Sequence, residues 1–166
     1  MTETLFLDDS YLKECQSTVK SVDNNKVILD KTIFYATSGG QPNDTGFLVK
    51  ENKQYKVTNV SKVNEEIVHE VEPGLKIGDK ITCKIDWERR YKLMRTHTAA
   101  HVLAASIAKE TNALITGGQL DLDKSKMDFD VEDFNPEKMK SFVDKANQAL
   151  SKDYEIKTYY LKREEF

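Results

Sequence analysis

The stretch Lys80-Ile81-Thr82-Cys83-Lys84-Ile85-Asp86-Trp87-Glu88-Arg89-Arg90 changes its period in the middle. Up to Ile85, apolar and polar residues alternate, as in a strand with one face on a core. At Asp86 the alternation stops. Asp86 is a good N-cap, and the residues from Trp87 to about Glu110 read as one helix. The chain therefore divides here into a β-rich part, residues 1–86, and an α+β part, residues 87–166.

Upstream of the change the strand and turn signals are dense. Lys26-Val27-Ile28-Leu29-Asp30 follows the turn-like Asp23-Asn24-Asn25, and Thr32-Ile33-Phe34-Tyr35 is β-prone. Tyr55–Val60 and Glu66–Val71 alternate, and Pro73-Gly74 marks a turn. Short strands at this spacing predict a small antiparallel barrel or sandwich. Between them lies the densest cluster of loop formers, Thr37-Ser38-Gly39-Gly40-Gln41-Pro42-Asn43-Asp44-Thr45-Gly46. A double glycine suits a loop whose backbone N–H groups approach a ligand closely, and it suits a plain turn equally well. It has neither the lysine and Ser/Thr of a phosphate-binding P-loop nor a Gly-x-Gly-x-x-Gly pattern.

Downstream, the helix carries Arg95-Thr96-His97-Thr98-Ala99-Ala100-His101, which holds two of the three histidines of the chain. Residues i and i+4 share a helix face. Such a pair is open to two readings: ordinary polar residues of a partly buried helix, or two ligands of one metal ion at about 2.0–2.1 Å. Small neighbours at Thr98, Ala99 and Ala100 leave room for an ion and a substrate. Thr98 stands where a zinc protease of the His-Glu-x-x-His type needs its glutamate, which argues against that class. His69 alternates with Ile67 and Val71 and reads as a core histidine, and Cys83 as a small core residue. Beyond the helix, Gly117-Gly118 reads as a chain break and Lys126–Val131 as a strand. Asn135-Pro136 starts a second helix, with Asn as cap and Pro at its first position. Tyr154–Leu161 reads as a last strand.

The chain has 166 residues, 39% hydrophobic and 32% charged, with net charge −3. That excludes a strongly basic nucleic-acid binder. The N-terminus has no basic segment followed by an apolar run, and no apolar stretch approaches the ~20 residues of a membrane span. Cys15 and Cys83 are far apart in sequence and form no Cys-x-x-Cys, so free thiols in a reducing, cytoplasmic setting are expected.

Three stretches, in order, resemble the editing domain of alanyl-tRNA synthetase and its free-standing relatives, the AlaX proteins. The first is Leu29–Tyr35 leading into Ser38–Gly46. The second is Asp86-Trp87-Glu88-Arg89-Arg90 leading into His97–Leu103. The third is Thr116-Gly117-Gly118-Gln119 followed by Met127-Asp128-Phe129-Asp130. The glycine-rich N-terminal part points to the medium-length AlaX type. The resemblance implies an α+β fold: a small antiparallel β-barrel domain followed by an α+β sandwich editing domain of the threonyl/alanyl-tRNA synthetase type. It implies hydrolysis of mischarged tRNA(Ala), chiefly Ser-tRNA(Ala) and also Gly-tRNA(Ala), with zinc as cofactor. The partner it implies is the tRNA(Ala) acceptor end, with no membrane and no obligate protein partner. The synthetase side of the likeness carries ATP binding as a class association.

By the same resemblance, His97 and His101 would hold zinc. A later Cys-x-x-x-His-like segment supplies the other ligands in the family; it would fall after Phe166, and the editing domain is expected to be incomplete. Thr98, Gln41 and Gln119 would supply catalytic hydrogen bonds. Gly39 and Gly40 would line the substrate, and Thr32 would meet the seryl hydroxyl. Arg89, Arg90, Lys92 and Arg95, with Lys50, Lys53 and Lys56 on the barrel, are candidate tRNA contacts. A non-catalytic tRNA-binding module of the same fold is the competing reading.

Overall fold

The computed structural model describes residues 1–131, 135–157 and 159–165. Its strands are β1 (Glu3–Thr4), β2 (Glu14–Asp23), β3 (Lys26–Leu29), β4 (Lys31–Thr32), β5 (Gly46–Lys50), β6 (Lys53–Val63), β7 (Glu66–Val71), β8 (Lys80–Ile85), β9 (Ile115–Gln119) and β10 (Lys126–Phe129). Its helices are α1 (Trp87–Thr111) and α2 (Pro136–Leu150). These elements form two compact units, one made of Met1–His97 with Thr116–Asp128, the other of the remaining described residues.

In the first unit a closed barrel runs β2-β3-β7-β6-β5-β8, every neighbouring pair antiparallel. Closure leaves the barrel no edge strand, which removes a template for aggregation. Side chains alternate in and out. On β8, Ile81, Cys83 and Ile85 are buried while Lys80 and Lys84 are exposed. On β6, Tyr55 and Val57 point inward, and then Val60 does. The phase is reset by an irregularity in the β6–β7 register between Val57 and Asn59, as a bulge does by inserting one residue. Leu29, Ile33, Phe34, Leu48 and Val57 fill the interior. Beside the barrel, β1 pairs with β4, and β9 with β10.

Asp86 caps α1: its Oδ1 accepts the Arg89 N–H at 3.1 Å, and its carbonyl accepts the Arg90 N–H at 3.0 Å. In the second unit Ile107, Ala113 and Phe142 form a small core, joined by Leu103, Phe129, Val131 and Met139. Asn135 caps α2 by accepting the N–H groups of Glu137 and Lys138 at 2.8 and 3.3 Å, with Pro136 at the start. No helix among the described residues is long and apolar enough to cross a membrane.

The expected α+β class, with an antiparallel barrel ahead of the helical part, is the fold observed. The compact units divide inside α1, after His97, and the first turns of α1 are bonded to the barrel loops. Three local readings differ. Gly117-Gly118 lies within β9 rather than breaking the chain. Only Thr32 of Thr32–Tyr35 is in a strand. Of the expected last strand, Thr158 lies outside the described residues, and 154–157 and 159–161 form no strand, since alternation alone supplies no ladder partner.

Candidate active site

The double glycine makes a two-residue hairpin turn. Ser38 and Gln41 exchange backbone hydrogen bonds of 3.2 and 2.9 Å, and Gly39 and Gly40 between them have φ of 55° and 76°. Both central φ values are positive, as a type I′ turn requires, which is glycine's preferred position. Gly40 carries a second constraint. The Leu120 N–H donates to its carbonyl at 2.8 Å, and a Cβ on Gly40 would lie 2.5 Å from the Gly118 carbonyl oxygen. Two glycines thus allow the turn and the β9 segment to meet backbone to backbone. Gly39 faces open space.

Behind the turn, Asp44 and Arg90 form a buried ion pair. Arg90 is 3% exposed, and its Nε lies 3.0 Å from each Asp44 carboxylate oxygen. Its Nη1 donates to the Ser10 carbonyl at 2.9 Å, and its Nη2 to the Ile33 carbonyl at 2.6 Å and to Asp44. The Asp44 oxygen that accepts from Nη2 also accepts the Tyr35 N–H at 2.7 Å. A planar guanidinium with five donors is suited to joining three segments at once. Arg89 adds two bonds to the Asn43 carbonyl, at 3.1 and 3.0 Å. The start of α1 is therefore fastened to the glycine loop.

That fastening positions His97. The Gln41 side chain is buried, and its Oε1 lies 2.8 Å from His97 Nδ1. With the Gln41 carbonyl oxygen as acceptor, Nδ1 is the donor of this hydrogen bond. A histidine oriented in this way through its other nitrogen is the usual arrangement for a metal-binding imidazole. His101 follows four residues on, exposed on α1. Among the described residues no group of three or more His, Cys, Asp or Glu side chains could hold a metal. Two nitrogen donors are half of a tetrahedral zinc set, so these residues alone do not constitute a zinc site.

The remaining candidates are placed as follows. Gln119 is exposed on β9, and Thr98 is half-buried directly after His97. Thr32 is fully buried: its hydroxyl is 2.9 Å from His69 Nε2 and accepts the Phe34 N–H at 3.1 Å. His69 Nδ1 lies 3.2 Å from the Val27 carbonyl. Burial in the barrel, with only that carbonyl favouring the charged ring, holds the His69 pKa down at about 4. The seryl-hydroxyl contact expected at Thr32 would be made by a buried hydroxyl that already shares a hydrogen bond with a core imidazole. Arg90, expected as a tRNA contact, is buried, and its guanidinium is engaged by one carboxylate and two carbonyls. Of the barrel lysines, Lys50 pairs with Asp79 at 2.8 Å and Lys53 lies 4.8 Å from the Tyr55 ring centre. Arg95 and Lys92 are exposed on α1.

Sequence reasoning missed two features. Asp44 stands in the sequence as one of a cluster of loop formers, although a carboxylate four residues after a double glycine could have suggested a partner for a basic run. Cys15 and Cys83 sit directly opposite each other on β2 and β8. Contact with Cys83 lowers the pKa of Cys15, while the same contact together with burial pushes Cys83 up.

Comparison with known proteins agrees with this construction. The model of the class II (A) tRNA synthetases matches residues 3–89. The alanyl-tRNA editing protein AlaX-M of Methanosarcina mazei is 46% identical over 175 residues, covering 99% of this chain and 70% of that protein. The AlaX-M protein of Saccharolobus solfataricus is 45% identical over 169 residues, covering 99% and 71%. Alanine–tRNA ligase of Pyrococcus abyssi is 37% identical over 169 residues, which cover 99% of this chain but 18% of the ligase. With the barrel, the docked glycine turn and the histidine helix in the order the resemblance requires, and with identity at this level along nearly its full length, the chain belongs to the AlaX-M family of alanyl-tRNA editing proteins.

Proposed function

We propose that the chain is a cytoplasmic trans-editing deacylase that hydrolyses the ester of tRNA(Ala) mischarged with serine, and also with glycine. The observation that carries the reading is the Gln41–His97 hydrogen bond of 2.8 Å next to the double-glycine turn. An aminoacyl ester is already activated. Hydrolysis needs water placed against the carbonyl carbon and donors for the oxyanion that develops, after which the ribose oxygen leaves with a proton. The turn at Gly39 and Gly40 offers backbone N–H groups without side chains in the way. Gln41 fixes the ring of His97, while Thr98 and Gln119 donate to the seryl hydroxyl or the terminal ribose. ATP has no role in this reaction. A site that hydrogen-bonds the seryl hydroxyl would be left with unsatisfied polar groups by alanine, and such sites discriminate by up to about 10⁴–10⁵.

The proposal includes zinc on His97 and His101; bound there, it would polarise water or the ester carbonyl. The described residues supply half of the required donors, so the steps above are assigned to the protein's own groups. That shortfall favours a second reading, a tRNA-binding module of the same fold without hydrolytic activity.

The test is release of serine from Ser-tRNA(Ala). Hydrolysis by the wild type, with a loss of 10²-fold or more in His97→Ala and His101→Ala, supports the deacylase. Unchanged rates in both variants overturn the assigned centre. Metal content of the purified chain decides the cofactor: one zinc per chain, lost in either histidine variant, supports it, and full activity in a metal-free chain removes it.

A further inference from the structure

The first residues of α1 carry a feature that the editing chemistry does not use. Trp87 packs on the barrel core, and Tyr91 lies one turn on, with ring centres 5.6 Å apart and planes inclined by 22°. Tyr11, from the segment before β2, joins them at 5.6 Å from Trp87 and 6.5 Å from Tyr91. Two of these rings face solvent: Tyr11 is 60% exposed and Tyr91 41%. Their positions are fixed from below. The Tyr11 N–H donates to Asp9 Oδ1 at 2.8 Å, and the Ser10 carbonyl is tied to the buried Arg90 guanidinium. Cations lie over the group: Lys13 Nζ is 4.8 Å from the Trp87 ring centre, and the Arg95 guanidinium carbon is 5.9 Å from that of Tyr91. Lys13 and Arg95 thus flank preorganised, exposed aromatic rings, with Asp8, Asp9 and Glu88 on the same segments.

We propose that Tyr11, Trp87 and Tyr91, with Lys13 and Arg95, form a stacking platform for unpaired nucleotides just upstream of the esterified 3′ end of the RNA substrate. This rests on the reading of the chain as a tRNA deacylase. Aromatic rings stack any base through its π-face, and the flexible Lys and Arg heads can turn from ring to phosphate. Position selects the nucleotides. Tyr91 precedes His97 by six residues, about 9 Å along the axis at 1.5 Å per residue, and lies round the helix from it. The platform therefore receives a neighbour of the terminal nucleotide, not the ester itself. Few cations on an acidic chain favour a short single strand over a long duplex, whose affinity depends on many phosphate contacts.

Trp87 is the chain's only tryptophan, so its fluorescence reports on the platform directly. The wild-type chain is titrated at low salt with hexaadenylate RNA and with a blunt RNA duplex of equal length. The expected result is quenching by the single strand, weakened roughly fivefold or more in each of Tyr11→Ala and Tyr91→Ala and retained in Tyr11→Phe and Tyr91→Phe. Lys13→Gln and Arg95→Gln should each reduce the salt slope by about 0.7, the value for one phosphate of a single strand. No quenching, unchanged affinity in both alanine variants, or preference for the duplex overturns the platform. The two readings fail separately. Normal hydrolysis of Ser-tRNA(Ala) with unaltered KM and quenching in the tyrosine variants removes the platform alone. Absence of hydrolysis in the wild type, with tyrosine-dependent quenching intact, removes the deacylase and upholds a base-binding surface.

Discussion

The two compact units are built to different standards of closure. In the first, the barrel has no open edge, and Leu29, Ile33, Phe34, Leu48 and Val57 are excluded from water. In the second, the buried core is Ile107, Ala113 and Phe142, while Tyr154, Ile156, Tyr159 and Leu161 are exposed. The glycine turn, Gln41 and His97 belong to the first. The group with the strictest geometric demand, an oriented imidazole, is thus held by the unit with the deeper core. A polar network of this kind needs such a support, because a one-ångström error in a catalytic group is costly.

Truncation of one phenylalanine in each unit tests that contrast most severely. Phe34→Ala, inside the closed barrel, is expected to cost about 3–5 kcal/mol, because the surrounding strands cannot collapse onto the void. Phe142→Ala should fall below about 3 kcal/mol, since the few neighbours of a small core can relax into the space. Denaturant unfolding, followed together with amide exchange, reads both. Equal losses, or slower exchange in α2 than in the barrel strands, would break the comparison.

Asp44→Ala follows in size. It leaves the Arg90 guanidinium buried without its carboxylate, and removing one partner of a buried pair costs about 3–5 kcal/mol. The loss should be accompanied by slower deacylation, because the same pair fastens α1 to the glycine loop. Arg90→Lys should not restore either, since a point cation cannot serve Asp44, Ser10 and Ile33 together. Rescue by lysine to wild-type stability would show that charge alone matters there.

What was legible in the sequence was local. Asp86 and Asn135-Pro136 announce the starts of α1 and α2, a turn signal before an apolar run gives β3, and alternation gives β6, β7 and β8. The strand β2 was not read, because its inward positions include Cys15 and the buried Ser17 rather than an unbroken apolar series. Arg90 reads as a tRNA contact because it stands in a basic run, and nothing in that run announces the carboxylate 46 residues away that pairs with it once the barrel closes. Gly117-Gly118 looked like a breaker, yet the close approach to Gly40 is what those glycines permit. Tyr154–Leu161 alternates without a ladder to join. In each case the missing information was a partner distant in sequence.

Acid titration sharpens the contrast from the barrel side. His69 is folded with a pKa near 4 and an ordinary value of 6.5 when unfolded. Between those values the unfolded chain binds the proton and the folded chain does not, so stability falls as pH drops from 6.5 to 4 and this loss levels off below 4. A shift of 2.5 units (6.5 − 4) corresponds to about 3–4 kcal/mol at most. Asp30 then adds to the loss. Burial opposes its charge, but bonds from the Thr18 and Lys31 N–H groups and the Ser17 hydroxyl prevail and hold it at about 2, against an ordinary 3.8. Its contribution is present above 3.8 and disappears as pH falls towards 2. Urea midpoints for the wild type and His69→Gln from pH 7 to 4 should differ in slope. Parallel curves would show that His69 is protonated in the folded barrel.

The smallest effect separates the two glycines of the turn. Both Gly39→Ala and Gly40→Ala place a Cβ at positive φ, at about 1–2 kcal/mol each. Gly39 adds nothing further, since its Cβ position is open, whereas a Cβ at Gly40 would sit 2.5 Å from the Gly118 carbonyl oxygen. Gly40→Ala must therefore push the turn off the β9 segment and loosen the Leu120–Gly40 hydrogen bond as well. The expected pattern is a larger loss of both stability and deacylation in Gly40→Ala than in Gly39→Ala, because the clash and the loosened hydrogen bond add to the strain, and Gln41, and through it the ring of His97, follows the turn directly. If the two variants lose activity equally, backbone strain accounts for both, and the docking of the turn has no part in orienting the histidine.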